Sequence, residues 1–145
     1  MNRYLLLGLV DEGLSETARR YQEDLSSLTG NGLALRFPVH VTLRGPFWTH
    51  TDTLSSMADT LRKVCTGLHQ MQIALRGPIR IDPDLCWLEV QGGMDDGMRL
   101  FDLHAVLERE MSGYVIRDDV SEGHKGSGYR PHVTVGWGVD DIHLL

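Results

Sequence analysis

The sequence is poor in cysteine. Only Cys65 and Cys86 are present, and they form neither a Cys-x-x-Cys pair nor a spacing typical of zinc ligands. This pattern argues against a disulfide framework and against a structural zinc site. Both cysteines occupy positions in phase with apolar neighbours, so we expect two buried free thiols in a protein of the reducing cytoplasm.

The sequence also lacks an apolar run of membrane-spanning length. A short run, Leu5–Val10, follows Arg3, but Asp11-Glu12-Gly13 stands where a signal peptide would have its small-residue cleavage site. We therefore expect neither a signal peptide nor a transmembrane segment. We interpret the run as the first strand of a sheet and, because it is apolar on both faces, as a central strand.

Positive charge is in deficit: 14 lysines and arginines face 20 aspartates and glutamates, for a net charge of −6. This balance argues against a broad basic surface that grips long duplex or single-stranded nucleic acid. A small phosphorylated ligand needs only a local cluster of cations, so a nucleotide substrate stays compatible with it. The length of 145 residues and the 41% hydrophobic content predict one globular domain over residues 1–145.

What the sequence does contain is one short motif that occurs twice. His40-Val-Thr42-Leu and His132-Val-Thr134-Val each follow a proline closely and lie 92 positions apart. Both segments are β-branched and apolar around a polar pair, which predicts buried strands. Side chains alternate along a strand, so the histidine and threonine of each motif share a face. If the two strands are neighbours, two imidazoles and two hydroxyls converge on one patch.

A structural interpretation competes with this one. A single His-Val-Thr segment is more often a buried histidine with its hydrogen bonds satisfied, next to a threonine that merely suits a strand. Two copies with the same spacing favour function, because burying two imidazoles and two hydroxyls without partners would cost a few kcal/mol.

The doubled His-x-Thr-x pattern resembles the two-histidine (2H) phosphoesterase superfamily, which includes LigT-like 2′-5′ RNA ligases and 2′,3′-cyclic phosphodiesterases. The resemblance is carried by residues 40–43 and 132–135, and looser agreement in element order extends over nearly the whole chain. The longer segment His-Val-Thr-Leu-Arg-Gly-Pro-Phe, residues 40–47, is most similar to a small bacterial branch. The resemblance implies that the catalytic residues are His40, Thr42, His132 and Thr134.

Six further residues are candidate substrate ligands: Arg44, Arg130, Tyr129, Phe47, Trp137 and Lys125. Arg44 and Arg130 share the strand phase of the motif residues, which would let them reach a bound phosphate. An arginine that reaches solvent from a strand end is an equally good interpretation of Arg44. Family members often carry a basic residue at the position of Trp137, and this departure leaves open how phosphate or base is held.

Aromatic residues and one loop carry the remaining candidates. Phe47 and Trp48 would offer stacking surfaces for a base, although aromatics at this place in a strand are more often core. The segment Asp118–Gly128 is interpreted as a flexible surface loop, or as a mobile flap that brings Lys125 or His124 over the motifs.

The order of elements predicts an α+β fold. We expect a first helix that carries Leu14–Leu28, a second that begins at an Asp52 N-cap and a third that carries Leu100–Met111. The first motif strand is expected to end at Gly45-Pro46. The hairpin-like neighbours predict mostly antiparallel sheets, and the resemblance implies a bilobal, pseudo-two-fold arrangement with outer helices and a central groove that carries both motif strands.

The predicted chemistry needs no cofactor and no metal, because the sequence near the motifs lacks a carboxylate cluster and lacks His-x-His or His-x₃-His spacing. Splitting a phosphodiester then requires an acid and a base, and a pair of histidines can supply both near neutral pH. We assign His40 as general acid and His132 as general base, and the exchanged assignment stays open. Thr42 and Thr134 would donate hydrogen bonds to the non-bridging oxygens.

The expected activity is hydrolysis of 2′,3′-cyclic phosphates or of related 2′-linked phosphodiesters in nucleotides or short RNA. The alternatives are a non-catalytic nucleotide-binding or interaction module, and an enzyme for cyclic or 2′-5′-linked oligonucleotides. We expect a cytoplasmic protein, a monomer, with no membrane and no long duplex nucleic acid as partner.

Overall fold

The computed structural model describes residues 1–82, 85–95, 98–120 and 125–137. The predicted loop residue His124 lies outside these ranges, as do residues 138–145. Three helices are described, α1 (Glu12–Thr29), α2 (Leu54–Cys65) and α3 (Leu100–Met111). The strands of the described ranges are β1 (Asn2–Leu9), β2 (His40–Thr49), β3 (Gln72–Asp82), β4 (Leu85–Asp95), β5 (Met98–Arg99), β6 (Arg117–Asp118) and β7 (His132–Trp137).

The strands form two sheets. The first has the order β1-β2-β6, and the second has the order β3-β4-β5 with β7 also paired to β4. The pairs β2–β6, β4–β5 and β4–β7 are all antiparallel. The predicted α+β fold with antiparallel sheets is therefore confirmed, whereas the pseudo-two-fold relation and the central groove stay predictions.

The two motif strands lie in different sheets, β2 in the first and β7 in the second. Among the described strands they are thus not hydrogen-bonded neighbours. Adjacency in one sheet would have been the simplest way to bring the two motifs together. Two copies of a motif do not require adjacent strands, because each copy can lie in a different sheet.

The first strand is not central. Among the described strands, β1 lies at the edge of its sheet and β2 occupies the centre. Leu5 and Leu9 are 45% and 72% exposed, while Tyr4 and Leu6 pack against a buried core. The prediction failed because an edge strand with exposed leucines has the same apolar pattern as a strand buried on both faces.

The chain divides into two compact units, each made of three segments. Unit 1 contains Met1–Leu7, Thr42–Ile73 and Gly92–Arg130, and unit 2 contains Gly8–Val41, Ala74–Gln91 and the segment from Pro131 onward. The single domain over residues 1–145 that the length predicts stays a prediction.

Unit 1 has a core around the fully buried side chains of Phe47 and Met111, with Met57 of α2 beside them. Helices α2 and α3 pack against each other, which brings their apolar stripes onto this core. Asp52 does not cap α2, because it lies inside a short 3₁₀ helix, Thr51–Thr53, that precedes the helix. Strand β2 also continues through Gly45-Pro46 to Thr49, where the Pro46 carbonyl accepts a bond from the Asp119 N–H.

Unit 2 is built on α1, which packs against β7. The Asp11 side chain caps its first turn by accepting the Leu14 N–H, and Gly30 ends it in the left-handed conformation at φ 71°. The buried side of α1 includes Ala18, Gln22 and Leu25. Gln22 is polar, and its side-chain amide donates a hydrogen bond to the Thr134 carbonyl of β7.

Candidate active site

His40 opens strand β2, where its ring is half-buried. Its Nδ1 lies 2.6 Å from the Pro38 carbonyl oxygen. A carbonyl oxygen can only accept, so Nδ1 carries the proton in this bond. The bond fixes the ring and leaves Nε2 as the atom that can take or give a proton, which is what an acid–base histidine requires.

Thr42 lies two residues further along β2 and is half-buried. Its backbone carbonyl accepts a hydrogen bond of 2.9 Å from the Tyr129 hydroxyl. The next carbonyl, that of Leu43, lies 2.7 Å from Nδ1 of the buried His104. Tyr129 and His104 therefore hold two consecutive peptide groups at the end of the first motif.

His132 opens strand β7 and lies flat against the indole of Trp87, with ring centroids 3.9 Å apart and planes 27° apart. Trp87 is directly opposite Thr134 in the antiparallel register, so the three side chains share one face of the sheet. The Thr134 carbonyl accepts a 3.0 Å bond from the Gln22 amide. Trp87 is itself buried, so the ring that stacks on His132 is held in place by its own packing.

Glu89 lies directly across from His132, a position that the sequence alone did not single out. The neighbouring Val90 N–H donates to the Pro131 carbonyl at 3.1 Å, so Val90 and Pro131 form a hydrogen-bonded pair. The pair Glu89–His132 is then of the non-hydrogen-bonded type, in which Cα atoms lie about 4.5 Å apart. Alternation along β4 puts Glu89 on the same face as Trp87, but only the pairing with β7 shows which residues Glu89 meets.

Arg44 is buried and paired. Its Nη2 lies 3.1 Å from Oδ2 of Asp118, and its guanidinium sits 4.8 Å from the centre of the Phe47 ring. Contact with a residue three positions along the same strand shows that β2 departs from simple alternation here. The expected common phase of Arg44 with His40 and Thr42 therefore does not follow from the backbone.

Asp118 contacts two of the candidate substrate ligands. Nζ of Lys125 lies 3.6 Å from the same carboxylate oxygen that Arg44 contacts. Burial acts to raise the pKa of Asp118. The hydrogen bond and charge of Arg44, together with the Lys125 charge, outweigh it and hold that pKa below its usual value. Sequence reasoning missed Asp118 because the partner residues are 74 positions apart in the chain.

The aromatic candidates divide by burial. Phe47 is 0% exposed and lies in the core of unit 1, so its ring offers no face to a base. Tyr129 is buried as well, and burial raises the pKa of its hydroxyl far above the usual value. Trp48 is half-buried. Its indole N–H donates a hydrogen bond of 2.8 Å to the Asp119 carboxylate, and the Arg117 guanidinium lies over its ring. The rings of Phe47 and Tyr129 are thus packed inside the protein.

The two remaining candidates lie at the two ends of the second motif strand, one just before β7 and one as its last residue. Arg130 is exposed, immediately before Pro131, and Trp137 is half-buried at the end of the strand, opposite Leu85. Both residues stay predicted substrate ligands.

The model of the 2'-5' RNA ligase superfamily matches residues 10–144. The chain belongs to this superfamily. It is the LigT-like 2H phosphoesterase superfamily, so the resemblance inferred from the doubled motif is confirmed. A comparison with curated protein sequences gave no significant match.

Membership of the 2H superfamily supports a phosphoester-processing activity of the phosphoesterase or ligase type.

Within the described ranges, no group of three or more His, Cys, Asp and Glu side chains is arranged to hold a metal ion. None of the helices in the described part of the chain combines the length and apolar character that crossing a membrane requires. The cytoplasmic location stays a prediction.

Proposed function

We propose that the protein hydrolyses 2′,3′-cyclic phosphates, or closely related 2′-linked phosphodiesters, by metal-independent acid–base catalysis with His40 and His132. The observation that carries the proposal is the bond from His40 Nδ1–H to the Pro38 carbonyl. It commits one ring nitrogen to the backbone and reserves Nε2 for proton transfer, in a chain whose family processes phosphoesters.

The reaction is an in-line displacement at phosphorus. A water oxygen forms the new P–O bond while one histidine, as base, accepts the proton from that water. The bond from phosphorus to the 2′ or 3′ oxygen breaks, and the leaving oxygen receives a proton from the second histidine, as acid. The pair ends with its protons exchanged and returns to its starting state through solvent.

The two threonines would stabilise the charge that accumulates on the non-bridging oxygens. Thr42 and Thr134 each have a backbone carbonyl held by a side chain, that of Tyr129 and that of Gln22 respectively. Anchored backbones leave the hydroxyls preorganised, and preorganised donors stabilise a transition state more than mobile ones.

We keep His40 as general acid and His132 as general base. The geometry favours neither assignment: the backbone bond of His40 leaves an Nε2 that suits either task, and the stacked indole of Trp87 orients His132 in either protonation state. Bell-shaped pH dependence of kcat/KM is expected under both assignments.

The test is phosphorus NMR of the products from the four 2′,3′-cyclic nucleotides in the presence of a chelator. His40→Ala and His132→Ala are compared with wild type and with His50→Ala, an exposed histidine outside the motifs. Turnover by wild type and His50→Ala that is lost in both motif variants supports the proposal, and the product isomer identifies the P–O bond that breaks. Undiminished turnover in either motif variant contradicts it.

Wild type that binds these nucleotides without turnover would redirect the substrate to cyclic or 2′-5′-linked oligonucleotides. Absence of both binding and turnover would favour a non-catalytic interaction module.

A further inference from the structure

The rings of His104 and Tyr129 form a rigid block within unit 1. Their centroids lie 3.9 Å apart and their planes differ by 8°. Phe101 meets the tyrosine edge-on at 5.5 Å, and both stacked rings are almost fully buried. Rings packed in this way keep one orientation, because a rotation of either would open a gap in the core.

Each ring of this block donates one hydrogen bond to strand β2. The Tyr129 hydroxyl bonds to the Thr42 carbonyl at 2.9 Å, and His104 Nδ1–H bonds to the Leu43 carbonyl at 2.7 Å. A peptide group is planar, so fixing a carbonyl fixes the whole plane that it belongs to. Two consecutive planes are held, and the first of them begins at the Cα atom that carries the Thr42 side chain.

We propose that the stacked pair His104–Tyr129 positions the Thr42 hydroxyl for its contact with the reacting phosphate. The two rings are positioning residues, since both are buried and act through the backbone of β2; this role replaces the substrate contact that the sequence suggested for Tyr129. This inference rests on the proposed function, in which Thr42 stabilises charge on a non-bridging oxygen. It adds two residues, from α3 and from the segment before β7, on which that single contact depends.

A purely structural role would give the two rings nothing more than the satisfaction of two half-buried backbone carbonyls. The roles separate in a double-mutant cycle, because a residue that acts through Thr42 has no further effect once the Thr42 hydroxyl is gone. A stability effect, in contrast, persists in either background.

The experiment measures kcat and KM for 2′,3′-cyclic nucleotides with wild type, Tyr129→Phe, Thr42→Val and the double variant. Tyr129→Phe keeps the stacked ring and removes only the hydroxyl. We expect kcat to fall about tenfold in Tyr129→Phe with KM nearly unchanged, because a displaced donor weakens the transition state more than the ground state. In the Thr42→Val background, the same change should alter kcat less than about twofold.

Tyr114→Phe is the matched control. Its hydroxyl lies 2.8 Å from the Thr60 hydroxyl and donates to the Ser56 carbonyl at 3.2 Å, so the change removes comparable bonds in the same unit away from the motifs. We expect its kcat to match that of wild type. A fall in kcat equal to that of Tyr129→Phe would show that any lost tyrosine bond in unit 1 slows turnover, and would overturn the inference.

A second variant protects the test against a folding failure of Tyr129→Phe. His104→Phe keeps a flat ring against Tyr129 and removes the bond to Leu43, and it is expected to show the same non-additivity with Thr42→Val. Losses of kcat that add fully in both cycles, or kcat equal to wild type in both single variants, contradict the inference alone. Wild type without turnover of cyclic nucleotides would instead overturn the proposed function, and the positioning role with it.

Phosphorothioate substrates give a readout that a structural role does not move. Replacing one non-bridging oxygen by sulfur weakens the hydrogen bond to that atom only. The ratio of kcat/KM for the two phosphorothioate diastereomers should therefore shift in Tyr129→Phe towards the value for Thr42→Val. An unchanged ratio in Tyr129→Phe, alongside a changed ratio in Thr42→Val, contradicts the positioning role.

Discussion

The indole of Trp87 lies flat against the imidazole of His132, with ring centroids 3.9 Å apart. Because Trp87 is buried and sits opposite Thr134 in the register, it forms a fixed wall behind the second motif. The orientation of His132 thus depends on a strand that carries no copy of the motif.

Replacing this wall tests how much the orientation matters. We expect Trp87→Leu to lower kcat for cyclic nucleotides about tenfold, because the imidazole loses the flat surface that fixes it. Trp87→Phe keeps a flat ring and should stay within about threefold of wild type. Steady-state kinetics after a circular-dichroism check of folding would show this. Equal kcat in Trp87→Leu and wild type would contradict it.

The two thiols should react at very different rates. Cys65 is exposed and Cys86 is buried, which corrects the expectation that both are buried. Burial also raises the pKa of the Cys86 thiol to about 11, so little of the reactive thiolate is present at pH 8. Ellman titration of the native protein should detect one fast thiol, and a second should appear on unfolding. The fast reaction should vanish in Cys65→Ser, and two fast thiols in native wild type would refute the assignment.

Removing the Asp118 carboxylate should destabilise the protein in a pH-dependent way. Asp118→Asn leaves the buried Arg44 guanidinium without its ionic partner, which we expect to lower the free energy of unfolding by about 2 kcal/mol at pH 6, less than a fully buried pair because Asp118 is partly exposed. The folded protein holds the pKa of this carboxyl below its usual 3.8. Its contribution is therefore complete above pH 3.8 and is lost as the pH falls through the lower, folded value.

Denaturant unfolding between pH 6 and pH 2 checks this prediction. Wild type and Asp118→Asn should converge at the acid end. The control is Asp59→Asn, since Asp59 pairs with Arg62 at an exposed position on α2 and should contribute little at any pH. A constant difference between wild type and Asp118→Asn across the range would rule out the linkage.

Gly45 is required by its neighbour Val120. A Cβ atom at Gly45 would overlap with Cγ2 of Val120, and a β-branched side chain has few rotamers in which to move away. We expect Gly45→Ala to lower the free energy of unfolding by about 1–3 kcal/mol. Gly45→Ala combined with Val120→Ala should be more stable than the sum of the two single effects predicts.

Gly113 provides the comparison for this pair, because nothing lies within 4 Å of a Cβ atom built there. Gly113→Ala should leave the unfolding midpoint nearly unchanged. Additive behaviour of the Gly45 and Val120 variants would show that the two residues are not coupled by contact.

The parts of the fold that follow from short segments could be read from the sequence. The doubled motif appears as a repeat of residue types, and α1 ends where Gly30 takes up the left-handed conformation. The apolar spacing over Leu100–Met111 predicted the helix α3. Each of these depends on neighbours within about one helical turn or one strand, so the pattern carries the information.

The parts that depend on strand pairing could not be read in the same way. The edge position of β1, the contact of Asp118 with Arg44 and the place of Glu89 opposite His132 all require knowing which strands meet. Phe47 and Trp48 are adjacent aromatics of one strand, and only the packed structure shows that the first is core and the second reaches Asp119.

The interleaving of the two units has a consequence for synthesis on the ribosome. Each unit is assembled from three separate segments, so no single cut in the chain separates one unit from the other. A nascent chain that has passed β2 still lacks β6, and the strand at the centre of the first sheet stays paired on one side at most. Contacts between segments so far apart make folding slow. Truncations that end before Arg130 should therefore yield aggregating chains rather than a smaller folded protein.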